Sequence, residues 1–354
     1  HNAHRRQRQM CIRDSTKIAE DFYLPLSKAP EIVRIDPDLT LLAKISFTPP
    51  TTQIHAQLSD DTDALGREQA VELLEKRKDK TTIEKLKQVL QNDSFYGVRI
   101  AASKALRKIA SDAAYETLSE STEQPNAKVR SQVVSDIASQ PKPNALPQLK
   151  RILSTEKNPS IRARAINGLA GYDDKHSNKL LHQALGQASF RNQIADAAII
   201  ALRKQDKPSN IAKIQTIIEE QGNKFTTNGY ANAIRAIGFL GRNQKQKNNL
   251  REFLISYIHN PKRRVALAAI ESLGQLGDPR VIATLEKFSH NAEGDPTRKA
   301  AEQAIEKIRA TRKPADDYKN LRKEVTHLKQ SNSKLSKELN TLKKRFDTVL
   351  KKKP

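Results

Sequence analysis

The nine residues "VRIAASKAL", Val98 to Leu106, decide the fold. Read as a helix, they place Ala102 and Leu106 one turn apart on a single face. The small alanine lets a neighbouring helix approach closely, and the leucine fills the space beside that approach. The same register recurs in "GREQAVELL" (66–74), "VRSQVVSDI" (129–137), "IRARAINGL" (161–169), "IADAAIIAL" (194–202), "GYANAIRAI" (229–237), "VALAAIESL" (265–273) and "TRKAAEQAI" (297–305). The start-to-start spacings are 32, 31, 32, 33, 35, 36 and 32 residues. The last position is Leu or Ile in every copy, and the middle one is Ala except at Val133. A second amphipathic segment lies between copies, as in "TIEKLKQVLQ" (82–91), "ALPQLKRILS" (145–154) and "DPRVIATLEKF" (278–288). Polar or Pro-broken turns such as "NDSFYG", "QPNAK" and "KNPS" separate the two. Two helices at this period predict an all-α chain, a HEAT-type α-solenoid of about eight helical hairpins over 55–312.

The flanks break the pattern. Residues 16–54 contain "FYLPLSKAPEIVRIDPDLTLLAKISF", with alternating Ile32, Val33 and Ile35 beside Pro30 and a "DPD" turn. Period-two apolar residues next to Pro and Asp predict one or two short strands. Two strands make no stable sheet alone, so the segment reads as a β remnant, the trailing strands of a truncated β-sandwich domain. Beyond Pro314 the period changes to 3, 4, 3, 4. Tyr318, Val325, Asn332, Leu339 and Phe346 occupy heptad position a, and Leu321, Leu328, Leu335, Leu342 and Val349 occupy d. Residues 313–354 are therefore expected to form a long coiled-coil helix, with Asn332 as the register and two-strand device. Asp317/Arg322, Glu324/Lys329 and Glu338/Lys343 are opposite in sign across the g and e′ positions, as a parallel homodimer through 318–349 requires.

Composition agrees with a helical repeat chain. Of 354 residues, 37% are hydrophobic and 5% aromatic, with no Trp and 12 Gly. The net charge of +23 is concentrated at the ends: residues 1–15 carry +3 and residues 311–354 carry +9. What remains is a mildly basic repeat region, read as a solvated Lys-rich surface rather than as a nucleic-acid track. The aromatic shortage also argues against base stacking. The single Cys excludes an internal disulfide framework and a cysteine zinc cluster. No apolar run has the length of a membrane span. The first 30 residues hold no secretory h-region; the compartment stays open, with the cytoplasm favoured, because foreign residues at 1–15 would put the true N-terminus upstream.

Five copies place Arg at their second position: Arg67, Arg99, Arg130, Arg162 and Arg298. These are expected to bond a carboxylate or carbonyl of the adjoining turn and stitch repeats together. A phosphate ladder is the competing role, but Ala195, Tyr230 and Ala266 would interrupt it. The predicted coiled-coil interface comprises Leu321, Val325, Leu328, Asn332, Leu335, Leu339, Leu342 and Phe346. No residue is assigned a catalytic, cofactor or metal role. No H-E-x-x-H, phosphate loop, dinucleotide fingerprint or G-x-S-x-G is present, and His176 and His182 in "HSNKLLH" share no helical face.

Two resemblances add to this reading. "QNDSFYGVRIAASKALRKI" (91–109) resembles the C-terminal helical repeats of aminopeptidase N-like gluzincin zinc metallopeptidases. "PEIVRIDPDLTLLAKISF" (30–47) is similar to that family's exit from its β-sandwich domain, and "QLSDDTDALGREQAVELL" (57–74) to its first repeat. The resemblance covers roughly residues 20–310. It implies a non-catalytic C-terminal scaffold that frames the active-site cavity of an N-terminal catalytic domain in the same parent chain. Zinc and peptide substrates would belong to that parent and not to these residues. Residues 1–15, "HNAHRRQRQMCIRDS", resemble translated sequencing-adapter sequence. The alternative is a free-standing HEAT-repeat interaction scaffold dimerised by its coiled coil, and after it a basic nucleic-acid-binding solenoid.

Overall fold

The computed structural model describes residues 25–140, 144–310 and 325–339 apart from 327, together with the isolated positions 19, 21, 23 and 343. The chain divides into two compact units, residues 1–109 and 110–354. The first unit holds two helical hairpins: α1 (Thr51–Leu58) with α2 (Ala64–Leu74), and α3 (Lys80–Asn92) with α4 (Tyr96–Ile109). The second holds six among the described residues. They pair α5 (Asp112–Glu120) with α6 (Ala127–Ala138), α7 (Ala145–Thr155) with α8 (Pro159–Gly168), and α9 (Lys175–Leu185) with α10 (Gln193–Gln205). The remaining three pair α11 (Ile211–Gln221) with α12 (Thr227–Gly241), α13 (Asn248–Ile255) with α14 (Arg263–Leu276), and α15 (Ile282–Ser289) with α16 (Pro296–Ala310). The architecture is an all-α solenoid of HEAT type, with the eight predicted copies on the even-numbered helices.

The register read in the sequence is the core. Ala70, Ala102, Val133, Ala165, Ala198, Ala233, Ala269 and Ala301 are all fully buried. So are Leu74, Leu106, Ile137, Leu169, Leu202, Ile237 and Leu273, with Ile305 nearly so. Burying one Leu or Ile side chain contributes about 1.5–3 kcal/mol, so this row is a principal term in the stability of each hairpin. The small residues set the helix spacing. A Cβ at Gly238 of α12 would lie 2.5 Å from Cβ and 2.7 Å from Cα of Ser272 on α14. A Cβ at Gly274 would likewise meet the Ala304 backbone of α16 at 2.7 Å. These three helices therefore pack at backbone distance.

The turns supply the helix starts. Asp63, Asp79, Ser111, Asn126, Asn158, Asp174 and Thr226 each accept a hydrogen bond from a first-turn N–H of the helix that follows. Such a cap is worth about 1 kcal/mol.

Of the strands expected over 16–54, none is formed in the described residues 25–50. The alternation at Ile32, Val33 and Ile35 meets no neighbouring strand, and Pro30, Pro37, Pro49 and Pro50 offer no N–H to a ladder. A local turn takes over instead. The Asp36 carboxylate accepts from Thr40 N and Oγ1 at 2.9 Å and from Leu41 N at 2.8 Å. Those bonds hold its carboxyl below the usual carboxylate range. Arg34 then ties the segment to the first hairpin through Asp63 and through Gln69 Oε1 at 3.1 Å.

Candidate functional site

The arginines of the even helices reach forward by nearly one repeat. Arg67 of α2 grips Asp93, in the turn between α3 and α4, through Nε at 2.7 Å and Nη2 at 3.1 Å. Its remaining arm donates to the Asp60 carbonyl at 2.7 Å. Both side chains are almost fully buried, at 3% and 7% exposure, so the fork geometry is what makes burying the two charges tolerable. The hydrogen bond to Asp93 raises the Arg67 pKa above its already high value.

Arg130 of α6 repeats the move. It donates to Glu156 Oε2 at 2.9 Å, in the turn between α7 and α8, and to the carbonyls of Gln124 and Pro125. Burial pushes the Glu156 carboxyl up. Arg130 and the N–H of Asn158 more than offset this and hold it below its usual range. Arg162 of α8 reaches Gln187 Oε1 at 3.0 Å, between α9 and α10. Arg67 and Arg130 span 26 residues and Arg162 spans 25. Arg99 is engaged as well, on the first turn of α4. Arg298 differs: it pairs with Glu302 one turn along its own helix at 3.0 Å and, among the described residues, bridges to no other repeat. Where Tyr230 replaces the arginine, its ring meets Tyr257 edge-on at 5.9 Å. Burial first, and then the hydrogen bond with Tyr230, push the Tyr257 phenol well above its ordinary value.

A second set of links was not anticipated. Arg242 makes a bidentate pair with Asp206 at 2.7 and 2.6 Å, Arg235 reaches Glu271 at 2.7 Å, and Asn232 reaches Asp196 at 3.3 Å. Each spans 36 residues, so Arg235 and Glu271 occupy equivalent positions on adjacent repeats, while the other two pairs, on copies 35 residues apart, are offset by one position. The signal in the sequence was opposite polarity at one repeat length, but which pairs meet depends on helix rotation. On this surface of α10 and α12, Phe239 lies under two guanidinium groups, Arg242 at 3.8 Å and Arg203 at 5.0 Å from the ring centroid. Burial, and then the nearby Arg235 and Arg242, lower the Arg203 pKa. Asp196 is part-buried with its carboxyl pushed up by desolvation, which the bond from Asn232 only partly offsets.

The described part of the predicted coiled coil is helical over 328–339. Its seam faces water: Val325, Leu328, Leu335 and Leu339 are exposed by 44%, 58%, 61% and 56%, and Asn332 is exposed beside them. Leu321, Leu342 and Phe346 lie outside the described residues. Among the described residues no group of three or more His, Cys, Asp or Glu is placed to hold a metal ion. No described helix is long and apolar enough to cross a membrane.

A family model described as HEAT repeats matches residues 51–138 and 223–306. Over these two stretches the chain is similar to HEAT repeats. The hairpins α7–α8 and α9–α10 lie between the two matched stretches and continue the same buried register. No curated protein matches the chain. Among solved structures, the chain is similar to the Escherichia coli protein YibA at 16% identity and a TM-score of 0.50, over 73% of this chain and 91% of that one. It is also similar to human deoxyhypusine hydroxylase in complex with glycerol, at 14% identity and a TM-score of 0.34 over 68% and 98% of the two chains. A third similarity is to the complex of CpcE and CpcF of phycocyanin lyase from Nostoc sp. PCC7120, at 17% and 0.32 over 76% and 98%. At these identities the likeness to YibA bears on the fold alone.

Proposed function

We propose that this protein is a protein-interaction scaffold whose chains pair through a parallel two-stranded coiled coil over 318–349. The observation that carries this reading is the exposed seam at Val325, Leu328, Leu335 and Leu339. An apolar row of this kind gains about 25 cal/mol for each Å² it removes from water, and a second copy in register would cover it. Glu338 and Lys343 flank the seam with opposite charge, and Asn332 at position a favours two strands. The HEAT repeats supply the frame, displaying Asp196, Arg203, Asn232, Arg235 and Phe239 at repeat spacing to a partner.

Sedimentation of the full chain tests the pairing. The expected result is twice the 39.7 kDa chain mass, falling to a single chain on Leu335→Glu, which puts a charge in the seam. A single chain before substitution refutes the reading. Asn332→Leu should raise the melting temperature and shift mass above the dimer, because the two-strand device is lost.

A second reading follows from the similarity of 30–47, 57–74 and 91–109 to aminopeptidase N-like metallopeptidases. In it, the HEAT repeats frame the cavity of a zinc-bearing catalytic domain in a longer parent chain. An H-E-x-x-H in the same reading frame upstream would carry it. The strand-free course of 25–50 takes away the β-sandwich edge on which it partly leaned.

A further inference from the structure

A cavity of about 490 Å³ opens between the hairpins α5–α6 and α7–α8, inside the second unit. It is walled by the turn before α6, by Arg130 and Val134 one turn apart on α6, by the end of α7 and by the turn that follows. Val134 and Ile152, both buried, and Pro125 give it an apolar lining. Its charged lining is Arg130 with Glu156, Arg151 with Glu123, and Lys157.

Arg130 is not the closed clasp that Arg67 is. Arg67 puts Nε and Nη2 on Asp93 and Nη1 on the Asp60 carbonyl, and its side chain is 3% exposed. Arg130 holds the same position two copies further on, but only Nε meets Glu156, through Oε2, while Nη1 donates to the carbonyls of Gln124 and Pro125. The Glu156 oxygen that would complete the fork, Oε1, accepts from the N–H of Asn158 at 2.9 Å instead. Arg130 Nη2 therefore has no acceptor among the described residues, and the side chain is 24% exposed at the cavity. The charges are also uneven. Glu156 balances Arg130 and Glu123 balances Arg151, while Lys157 meets no carboxylate among the described residues. One positive charge and one guanidinium N–H group are left over beside an apolar lining.

We propose that this cavity binds a carboxylate carried on a short aliphatic body. The carboxylate accepts from Arg130 Nη2 and balances Lys157, and the aliphatic part packs against Val134, Ile152 and Pro125. A carboxylate suits the planar guanidinium edge and brings the single negative charge that is missing. A phosphate monoester brings about −1.5 to −2, which sets its excess against Glu123 and Glu156 and leaves the apolar lining uncovered. A free aliphatic acid and the last residue of a peptide chain share the favoured chemistry.

The test is calorimetric titration of the full-length protein, at constant ionic strength, with 4-methylpentanoate and with N-acetyl-Ala-Leu bearing a free carboxylate. The amide of the same peptide and inorganic phosphate are the comparison ligands. The expected result is saturable binding of one carboxylate ligand per chain, at least tenfold tighter than either comparison ligand. The tighter of the two carboxylates identifies the source. Arg130→Lys, which keeps the charge beside Glu156 but removes Nη2, should weaken binding at least tenfold, and Lys157→Gln at least threefold. Lys175→Gln, an exposed lysine outside the cavity, should leave it unchanged. Circular dichroism melts show whether each variant is folded, and Lys157→Gln, altered at an exposed position, keeps the test decisive if Arg130→Lys is not. Binding that does not saturate, an amide or phosphate that binds as tightly as the carboxylates, or a loss in Lys175→Gln equal to that in Lys157→Gln overturns the proposal.

Discussion

Replacing Gly238 by Ala sets two effects of opposite sign against each other. Gly238 lies inside α12, where alanine is favoured over glycine by about 1 kcal/mol. The added methyl, however, would sit 2.5 Å from Cβ, 2.7 Å from Cα and 2.9 Å from O of Ser272. Two of those atoms are backbone in the middle of α14, so they yield only if the helix moves. Overpacking of this kind costs typically about 1–3 kcal/mol, and the upper end applies where no flexible side chain can rotate away. Moving α14 also strains the buried bond from Ser272 Oγ to the Ile234 carbonyl, 3.1 Å long and worth about 1 kcal/mol. The net expectation is destabilisation by roughly 1–3 kcal/mol, read as a lower urea midpoint with unchanged slope. Gly186→Ala is the control. A Cβ there meets only Gln183 O at 3.9 Å, and lower entropy of the unfolded chain should leave it neutral or stabilised by up to about 1 kcal/mol. If Gly238→Ala matches or exceeds the parent midpoint, α12 and α14 do not pack at backbone distance.

The remaining expectations concern charge. Arg67→Met leaves Asp93 buried without its cation and should cost about 3–5 kcal/mol, whereas Arg298→Met, losing only an exposed pair within one helix, should cost under about 0.5 kcal/mol by chemical denaturation. Asp278 and Asp196 should respond to pH with opposite sign. Burial raises Asp278, but its bonds to Arg280 and Arg251 overcome this and hold it well below 3.8. Its contribution is therefore fully present above pH 3.8 and lost as pH falls toward the depressed value, so Asp278→Asn destabilises at pH 7 and matters progressively less in acid. Asp196 is raised above 3.8, so its stabilising contribution is present below that value and lost as pH rises through the folded pKa. Asp196→Asn should accordingly leave stability at pH 7 equal or higher, and a fall there refutes the assignment.

The fold was legible because burial imposes a period. Ala102 and Leu106 recur in register wherever a helix must meet two neighbours, and periodicity survives without knowledge of any contact. The arginines were legible as a residue type, but their partners were not. Asp93, Glu156 and Gln187 lie two turns and a helix away, and only the folded hairpin brings them near. The same distance hid the contacts of His182 with Asn210 and Lys213, 28 and 31 residues off. Residues 30–47 misled for the converse reason. Alternation at Ile32, Val33 and Ile35 is a local pattern, whereas a strand exists only through a partner. With none at hand, the Asp36 turn and the Arg34 tether decide the path.

The exchange of arginine for tyrosine along the ladder has a consequence for how the protein answers its medium. The part-exposed Arg130–Glu156 clasp is held by charge, and dissolved ions compete for it at physiological strength. The Tyr230–Tyr257 clasp is held by ring contact and a neutral hydroxyl, to which ions are indifferent. Raising the electrolyte concentration therefore loosens one joint while leaving the other as it was. Compliance becomes a property that varies from joint to joint, set by which side chain occupies a single position in each repeat.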